Sequence, residues 1–323
     1  MTKVVVIGGG TGSSVVLSSL KNLPGVDLTA LPVVTDSGGS TGKLRDEFGF
    51  LPVGDVRQCL AAMADDQTQQ DIKELLLYRF AKGTGLKGHN LGNLILTALE
   101  DLKLEPGKAI ETASKIFRIK GKVLPVTQDN THLLINYEDG QKLVGEHFLD
   151  DHGRGGKKIT KIELTKPANL YQPAGQAILE ANIIVVGPGD LYGSLLPNTL
   201  VTGFKDVFKK SSAKFIYFTN LMTHFSQTHN LTASDHVKII TNYFGKSPDL
   251  VIVNTEKISP KILASYKEEK EYPVVDDLAK TPQIMRAELV SKVIEKQNSS
   301  DQIARSLLRH DAKKVTEIFA KLI

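Results

Sequence analysis

Val4-Val5-Val6-Ile7 runs into Gly8-Gly9-Gly10-Thr11-Gly12-Ser13-Ser14, and the reading of this stretch decides the fold. A short β-branched apolar run reads as a strand buried on both faces, the kind that builds parallel sheets. Glycine at its carboxyl end lets backbone N–H groups approach a ligand, and a helix that follows points its positive end at the same place. The pattern recurs at once, as Leu31-Pro32-Val33-Val34 leads into Thr35-Asp36-Ser37-Gly38-Gly39-Ser40-Thr41-Gly42. Two such loops on successive strands would face one crevice at the edge of an open α/β sheet, where phosphates and nucleotides bind. Either loop alone reads equally well as a tight strand-to-helix turn. The pair favours a ligand.

Working outward, Val15, Val16, Leu20 and Leu23 recur at helical spacing over 13–23, and Pro24-Gly25 ends that helix before a second strand over 28–34. Strand, helix and strand in this order predict parallel neighbours with a right-handed crossover. Helices are expected over 55–66 and 71–80, and another from Asn90. The pattern changes over 121–166, where four short β-rich runs (123–126, 132–137, 142–145 and 158–164) and an Asp139-Gly140 hairpin signal predict an antiparallel β insertion. An exposed loop over 150–157 carries Asp150, Asp151 and His152, metal-ligating types in a setting that seldom binds metal. Alternation then returns with a helix over 173–181 and strands over 182–186, 215–218 and 250–253. These strands end in Gly187-Pro188-Gly189-Asp190, in Thr219-Asn220 and in Asn254, and polar strand ends are where ligands bind in such sheets. The fold class is therefore α/β, a doubly wound, mostly parallel Rossmann-like sheet. A single domain is expected over 1–323, with the antiparallel insertion and a mostly helical C-terminal region over 255–323.

Bulk composition narrows the partners. With 40 basic and 36 acidic residues among 323, the net charge of +4 is too balanced to imply nucleic acid or a membrane surface. The single cysteine, Cys59, excludes an internal disulfide and reads as a buried, inert thiol among Val56, Leu60 and Met63. No apolar run approaches a membrane span, and Met1-Thr2-Lys3 lacks the features of a signal peptide, so the cytoplasm is the expected location.

The first loop is phosphate-compatible without naming a nucleotide. A dinucleotide fingerprint would want glycine where Ser13 stands, although Asp36 sits where a ribose-binding carboxylate is expected, and no Walker lysine follows Gly12. The second loop offers amides at Gly38 and Gly39, hydroxyls on Ser37, Ser40 and Thr41, and cations on Lys43 and Arg45. The same residues would also serve to cap the next helix. Asp55 reads as a helix N-cap. Arg57 in the following turn opposes the helix dipole and calls for a ligand phosphate or a buried acid. His89, Asn90 and Asn93 precede or open a helix, where they either cap it or present donors to an anion, and His89 has the chemistry of a general base. A magnesium site would have to be made from Asp36 and Asp55.

Taken in order, 8–12, 36–45, 52–57, 88–93, Gly187 to Tyr192 with Pro197-Asn198, and 232–236 resemble the CofD/YvcK-like family along essentially the whole chain. That family holds transferases of 2-phospho-L-lactate, which serve deazaflavin synthesis, and the YvcK type, cytoplasmic regulators that bind UDP-sugars and are linked to cell shape and gluconeogenic growth. The stretches 38–45 and 54–57 are similar to the second branch. So are Tyr266, Pro273-Val274-Val275-Asp276 and Leu308-Arg309-His310-Asp311. The resemblance implies a UDP-sugar ligand such as UDP-N-acetylglucosamine, a homodimer and regulatory protein partners. It also implies a crevice framed by Gly9, Gly10, Thr11, Gly12 and Ser13, by Asp36 to Thr41, and by Gly187, Pro188, Gly189 and Asp190. Arg45, Asp55, Arg57, His89, Asn90, Asn93 and Asn220 would supply polar contacts, Tyr266 would stack on the base and Arg309 would clamp the diphosphate. Departures from the family pattern bear on the alternative, a magnesium-dependent transferase. Ser37 replaces a second aspartate, Met222-Thr223-His224-Phe225-Ser226-Gln227-Thr228 replaces Met-Thr-Gln-x-Gly-Glu-Thr, and Asp190 stands where serine is usual. No other cofactor is implied.

Overall fold

The structure, a computed structural model, describes residues 1–65, 70–150, 156–293 and 307–323. β1 (Thr2–Gly8) turns through Gly9 into α1 (Gly10–Leu20), and β2 (Val26–Pro32) follows. Five helices come next: α2 (Gly39–Phe48), α3 (Gly54–Met63), α4 (Gln70–Leu77), α5 (Leu91–Lys103) and α6 (Pro106–Ile116). A short β3 (Lys122–Val123) leads to β4 (Leu133–Tyr137), β5 (Lys142–Val144), a 3₁₀ turn over Glu146–Asp150, and β6 (Ile159–Leu164). Then come α7 (Gln172–Glu180), β7 (Ile183–Val186), tight helical turns over Leu191–Leu195 and Leu196–Leu200, α8 (Phe204–Lys210) and β8 (Lys214–Phe218). The chain closes with α9 (Ala233–Phe244), β9 (Leu250–Asn254), α10 (Pro260–Glu268), β10 (Ile284–Ala287) and α11 (Ala312–Leu322).

Seven strands form one parallel sheet in the order β3-β2-β1-β7-β8-β9-β10. Val4, Val5, Val6 and Ile7 of β1, and Ile183 to Val186 of β7, are all buried, as their unbroken apolar runs demand. Helices cover both faces. Strand order reverses between β1 and β7, so the crevice at their carboxyl ends is the topological switch point of a doubly wound fold. This is the expected sheet.

Two details differ from the sequence reading of the insertion. Its first strand, β3, pairs in parallel with β2 at the edge of the main sheet, while β5-β4-β6 make a separate antiparallel sheet. Two residues of edge strand carry no signal of which neighbour they will take. The second difference lies in the C-terminal region, where β10, absent from the sequence reading, lies between α10 and α11 and extends the main sheet. Within the loop read over 150–157, residues 151–155, with Asp151 and His152, lie outside the described residues. Cys59 is buried, and burial pushes its thiol up, away from reactivity.

Candidate functional site

Helix α1 begins where β1 ends. It has no acidic residue in its own first turn, and the positive end of the helix dipole lies at the crevice. The carboxylate of Asp55 holds this loop from behind, accepting from Gly10 N–H at 2.8 Å. Asp55 is therefore not the cap of α3. Val53 occupies that position, and Asp55 in the first turn braces the glycine loop instead. From the other side of the switch point, β7 ends in Gly187 and a cis peptide to Pro188. Gly12 packs so closely under this turn that a Cβ there would overlap the Pro188 carbonyl oxygen. The first and third glycine loops therefore interlock.

Between these loops and the C-terminal region lies an open cleft of about 610 Å³, within the usual range of small-molecule sites. Gly9, Gly10, Thr11, Gly12, Pro188, Gly189, Asp190, Asn220, Tyr266 and Arg309 line it. These sequence candidates, drawn from five separate stretches, meet in one place. Ser13 is buried behind the loop and Gly187 beneath the turn. The facing wall carries His224 and His310, which fall within stretches set against the family pattern, and Ser265, Glu268, Glu269 and Glu271, which stand in no sequence motif. This wall rests on a small hydrophobic cluster of its own, made of Leu221, Met222, Tyr266, Val290 and Leu308. Leu308 N–H donates to the Tyr266 hydroxyl at 2.9 Å, tying the two C-terminal segments together.

The second glycine loop does not line the cleft, because the switch point sets β7 rather than β2 across from α1. Its side chains are engaged elsewhere. Ser37 Oγ accepts from His147 N–H and lies 3.0 Å from His147 Nδ1, and Asp36 accepts from Gly38 N–H at 2.8 Å. Ser40 and Thr41 are buried, within hydrogen-bond reach of the Asn93 amide. Gly39 simply opens α2. Arg45, also buried, spans to Asn130, to the Thr131 carbonyl and to the Asp36 carbonyl. Arg57 donates to Asn93 Oδ1 at 2.8 Å, and Asn90 caps α5 by accepting from Asn93 N–H at 3.1 Å. His89 Nδ1 lies 3.3 Å from Ser40 Oγ. These residues form a polar network that joins α2, α3 and α5.

Asp36 and Asp55 each commit one oxygen to a backbone amide, and among the described residues no three His, Cys, Asp or Glu side chains are grouped to hold a metal ion. A divalent ion on these two carboxylates would need ligand oxygens to complete its shell. Burial, with Asp36, Asp150, Asp55 and Asp190 around it, pushes the Glu146 carboxyl well above the usual range.

Glu271 is the other displaced acid. Burial, reinforced by Asp190 and Glu269, pushes its carboxyl up to about 7, although Phe225 N–H favours the charged form. His224 Nε2 lies 3.8 Å away. A glutamate in the unfolded chain titrates near 4.3, so between there and about 7 the folded state holds the extra proton. Stability should therefore fall as pH rises through that window and level off above it. Glu271→Gln is expected to flatten this slope and to be about 2 kcal/mol more stable at pH 8, after allowance for partial exposure. Urea unfolding at pH 5 and pH 8 measures both, and parallel pH slopes for the two proteins would refute it.

A doubly wound sheet with glycine loops meeting at its switch point beside a cleft defines a Rossmann-like α/β protein. The family model for the 2-phospho-L-lactate transferase CofD matches residues 4–295, and the chain belongs to the CofD family. It is 38% identical over 316 residues to a gluconeogenesis factor of Halalkalibacterium halodurans, spanning 97% of this chain and 94% of that one. To the gluconeogenesis factor of Bacillus subtilis it is 35% identical over 323 residues, covering 99% and 98% of the two chains. The crystal structure of a UPF0052-family protein from Bacillus halodurans superposes with a TM-score of 0.88 at 37% identity, covering 98% of this chain and 99% of that one.

Proposed function

We propose that this chain is a cytoplasmic regulatory protein of the gluconeogenesis-factor type that binds a UDP-sugar, UDP-N-acetylglucosamine being the leading ligand, and that it supports growth on gluconeogenic carbon and cell-shape homeostasis. A homodimer and regulatory partners go with this reading. The observation that carries it is the convergence of Gly9–Gly12, Pro188–Asp190, Tyr266 and Arg309 on one cleft. The amides and dipole of α1 suit a diphosphate, an arginine clamps it, and a tyrosine face suits a base. No helix among the described residues is long and apolar enough to cross a membrane.

The matched family model favours a second reading, transfer of a phosphate-linked group with Asp36 and Asp55 sharing a magnesium ion. Thermal unfolding separates the two. UDP-N-acetylglucosamine at about one hundred times its dissociation constant should add about 2.7 kcal/mol of stability, with or without magnesium. Tyr266→Ala and Arg309→Ala should abolish that gain. A shift that appears with GDP only when magnesium is present, and never with the UDP-sugar, would replace the sensor by the transferase.

A further inference from the structure

The cleft has two unlike sides. On one, the amides of Gly9–Gly12 and the positive end of α1 suit an anion. On the other, Asp150, Glu268, Glu269 and Glu271 line the wall, and Arg309 is the single permanent cation among the described lining residues. Such a wall repels phosphate, whereas hydroxyl groups can donate to its carboxylates.

His224 belongs to this wall and is held in a fixed orientation. Ser226, fully buried, donates its hydroxyl proton to the Leu149 carbonyl, so its Oγ, 3.0 Å from His224 Nδ1, can only accept from Nδ1–H. That bond leaves the other ring nitrogen beside the carboxylates. Nε2 lies 3.8 Å from Glu271 Oε1 and 3.9 Å from Asp150 Oδ1, both beyond direct hydrogen-bond distance. All three side chains reach the surface of the cleft, His224 being 24%, Glu271 13% and Asp150 35% exposed. Glu271 is placed by Phe225 N–H, which donates to its Oε1 at 3.4 Å. The family pattern set beside 222–228 has glutamine at 224 and glycine at 226. A glycine could not hold the imidazole, so the two departures act together.

A hydroxyl group is donor and acceptor at once. It can therefore pair with Nε2 in either protonation state of the ring and still donate to a carboxylate. Uracil fits this wall less well, because its one imide N–H is flanked by two carbonyl oxygens that would face the acids. We infer that the wall formed by His224, Glu271 and Asp150 binds the uncharged, hydroxyl-bearing sugar of the ligand, with His224 Nε2 meeting a ring hydroxyl, and that it selects against an acidic sugar. This rests on the UDP-sugar reading of the cleft and adds to it where the sugar lies and which sugars are refused.

The test is calorimetric titration at pH 8 of UDP, UDP-glucose, UDP-N-acetylglucosamine and UDP-glucuronic acid into the unaltered protein, His224→Ala, Ser226→Ala and Glu271→Gln. Glu271, whose carboxyl is pushed up to about 7, is then mostly ionised. UDP lacks the sugar and reports whether each variant still holds the nucleotide. His224→Ala is expected to weaken both neutral sugars about tenfold while UDP changes by less than about twofold. Ser226→Ala should lower the same ratio of sugar to UDP affinity to a smaller degree, because the ring remains but is no longer aimed. The unaltered protein should bind UDP-glucuronic acid at least about tenfold more weakly than UDP-glucose, and Glu271→Gln should narrow that gap. An equal loss for UDP and the sugars in a His224→Ala protein of unchanged melting temperature, or no loss at all, overturns the inference and leaves the UDP-sugar reading intact. So does a uronate held by the unaltered protein as tightly as the glucose compound. Failure of all four compounds to bind overturns both.

Discussion

Gly12→Val is expected to destabilise the protein by about 3 kcal/mol or more, the largest effect of any single change at the site. Helix propensity alone would favour almost any residue over glycine inside α1, by up to about 1 kcal/mol. Steric overlap reverses the sign. A Cβ at this position would enter the Pro188 carbonyl, and that carbonyl belongs to a turn anchored at the end of a buried central strand, not to a side chain that can swing away. Relief would require the first and third glycine loops to part, so ligand affinity should fall together with stability. Gly12→Ala should show the same direction at smaller size. The check is the urea midpoint at unchanged slope, read beside nucleotide binding. A midpoint equal to that of the unaltered protein would mean the loops do not interlock.

Arg45→Met is expected to cost about 3 kcal/mol while leaving UDP-sugar affinity within about twofold. The guanidinium is buried and donates to Asn130 Oδ1 from Nε at 2.9 Å and from Nη2 at 2.6 Å, and it also reaches the Thr131 and Asp36 carbonyls. Methionine fills comparable volume but leaves those acceptors without their charged donor. Lysine should rescue poorly, because a single ammonium cannot reproduce the planar fork. The paired measurement of unfolding and binding separates a residue that braces the second loop against the segment before β4 from one that holds phosphate. Loss of binding at normal stability would return Arg45 to the ligand.

The contrast between these two residues shows what was legible in the sequence and why. A strand, a glycine turn and a helix are local facts, so both glycine loops and nearly every strand of the main sheet could be read from apolar runs and breakers. Which loops share a cleft is not local. It depends on strand order, and nothing in residues 1–50 reveals that the neighbour of β1 on the far side is β7, which begins only at Ile183. Sequence alone places the second loop at the crevice, whereas in the structure Ser40 and Thr41 are within reach of Asn93 of α5 and Ser37 engages His147. Tyr266 and Arg309 were found through family resemblance and not through spacing. Glu271 is not legible in the sequence because a single titratable residue in an irregular segment carries no periodic signal, and His224 and His310 are visible only inside stretches compared with the family pattern. β10 was missed because Ile284-Met285-Arg286-Ala287 is too short and too mixed to announce a strand.

The tie between Leu308 and Tyr266 has a consequence for the order of events during synthesis. The loop at Gly9–Gly12 leaves the ribosome well before Arg309 and His310. A nascent chain thus carries an incomplete cleft until the segment at Leu308 has been made and has docked on Tyr266. A complete cleft is in this sense a certificate of completed folding. Chains clipped before Leu308 should be left with an open-sided cleft, however sound their sheet.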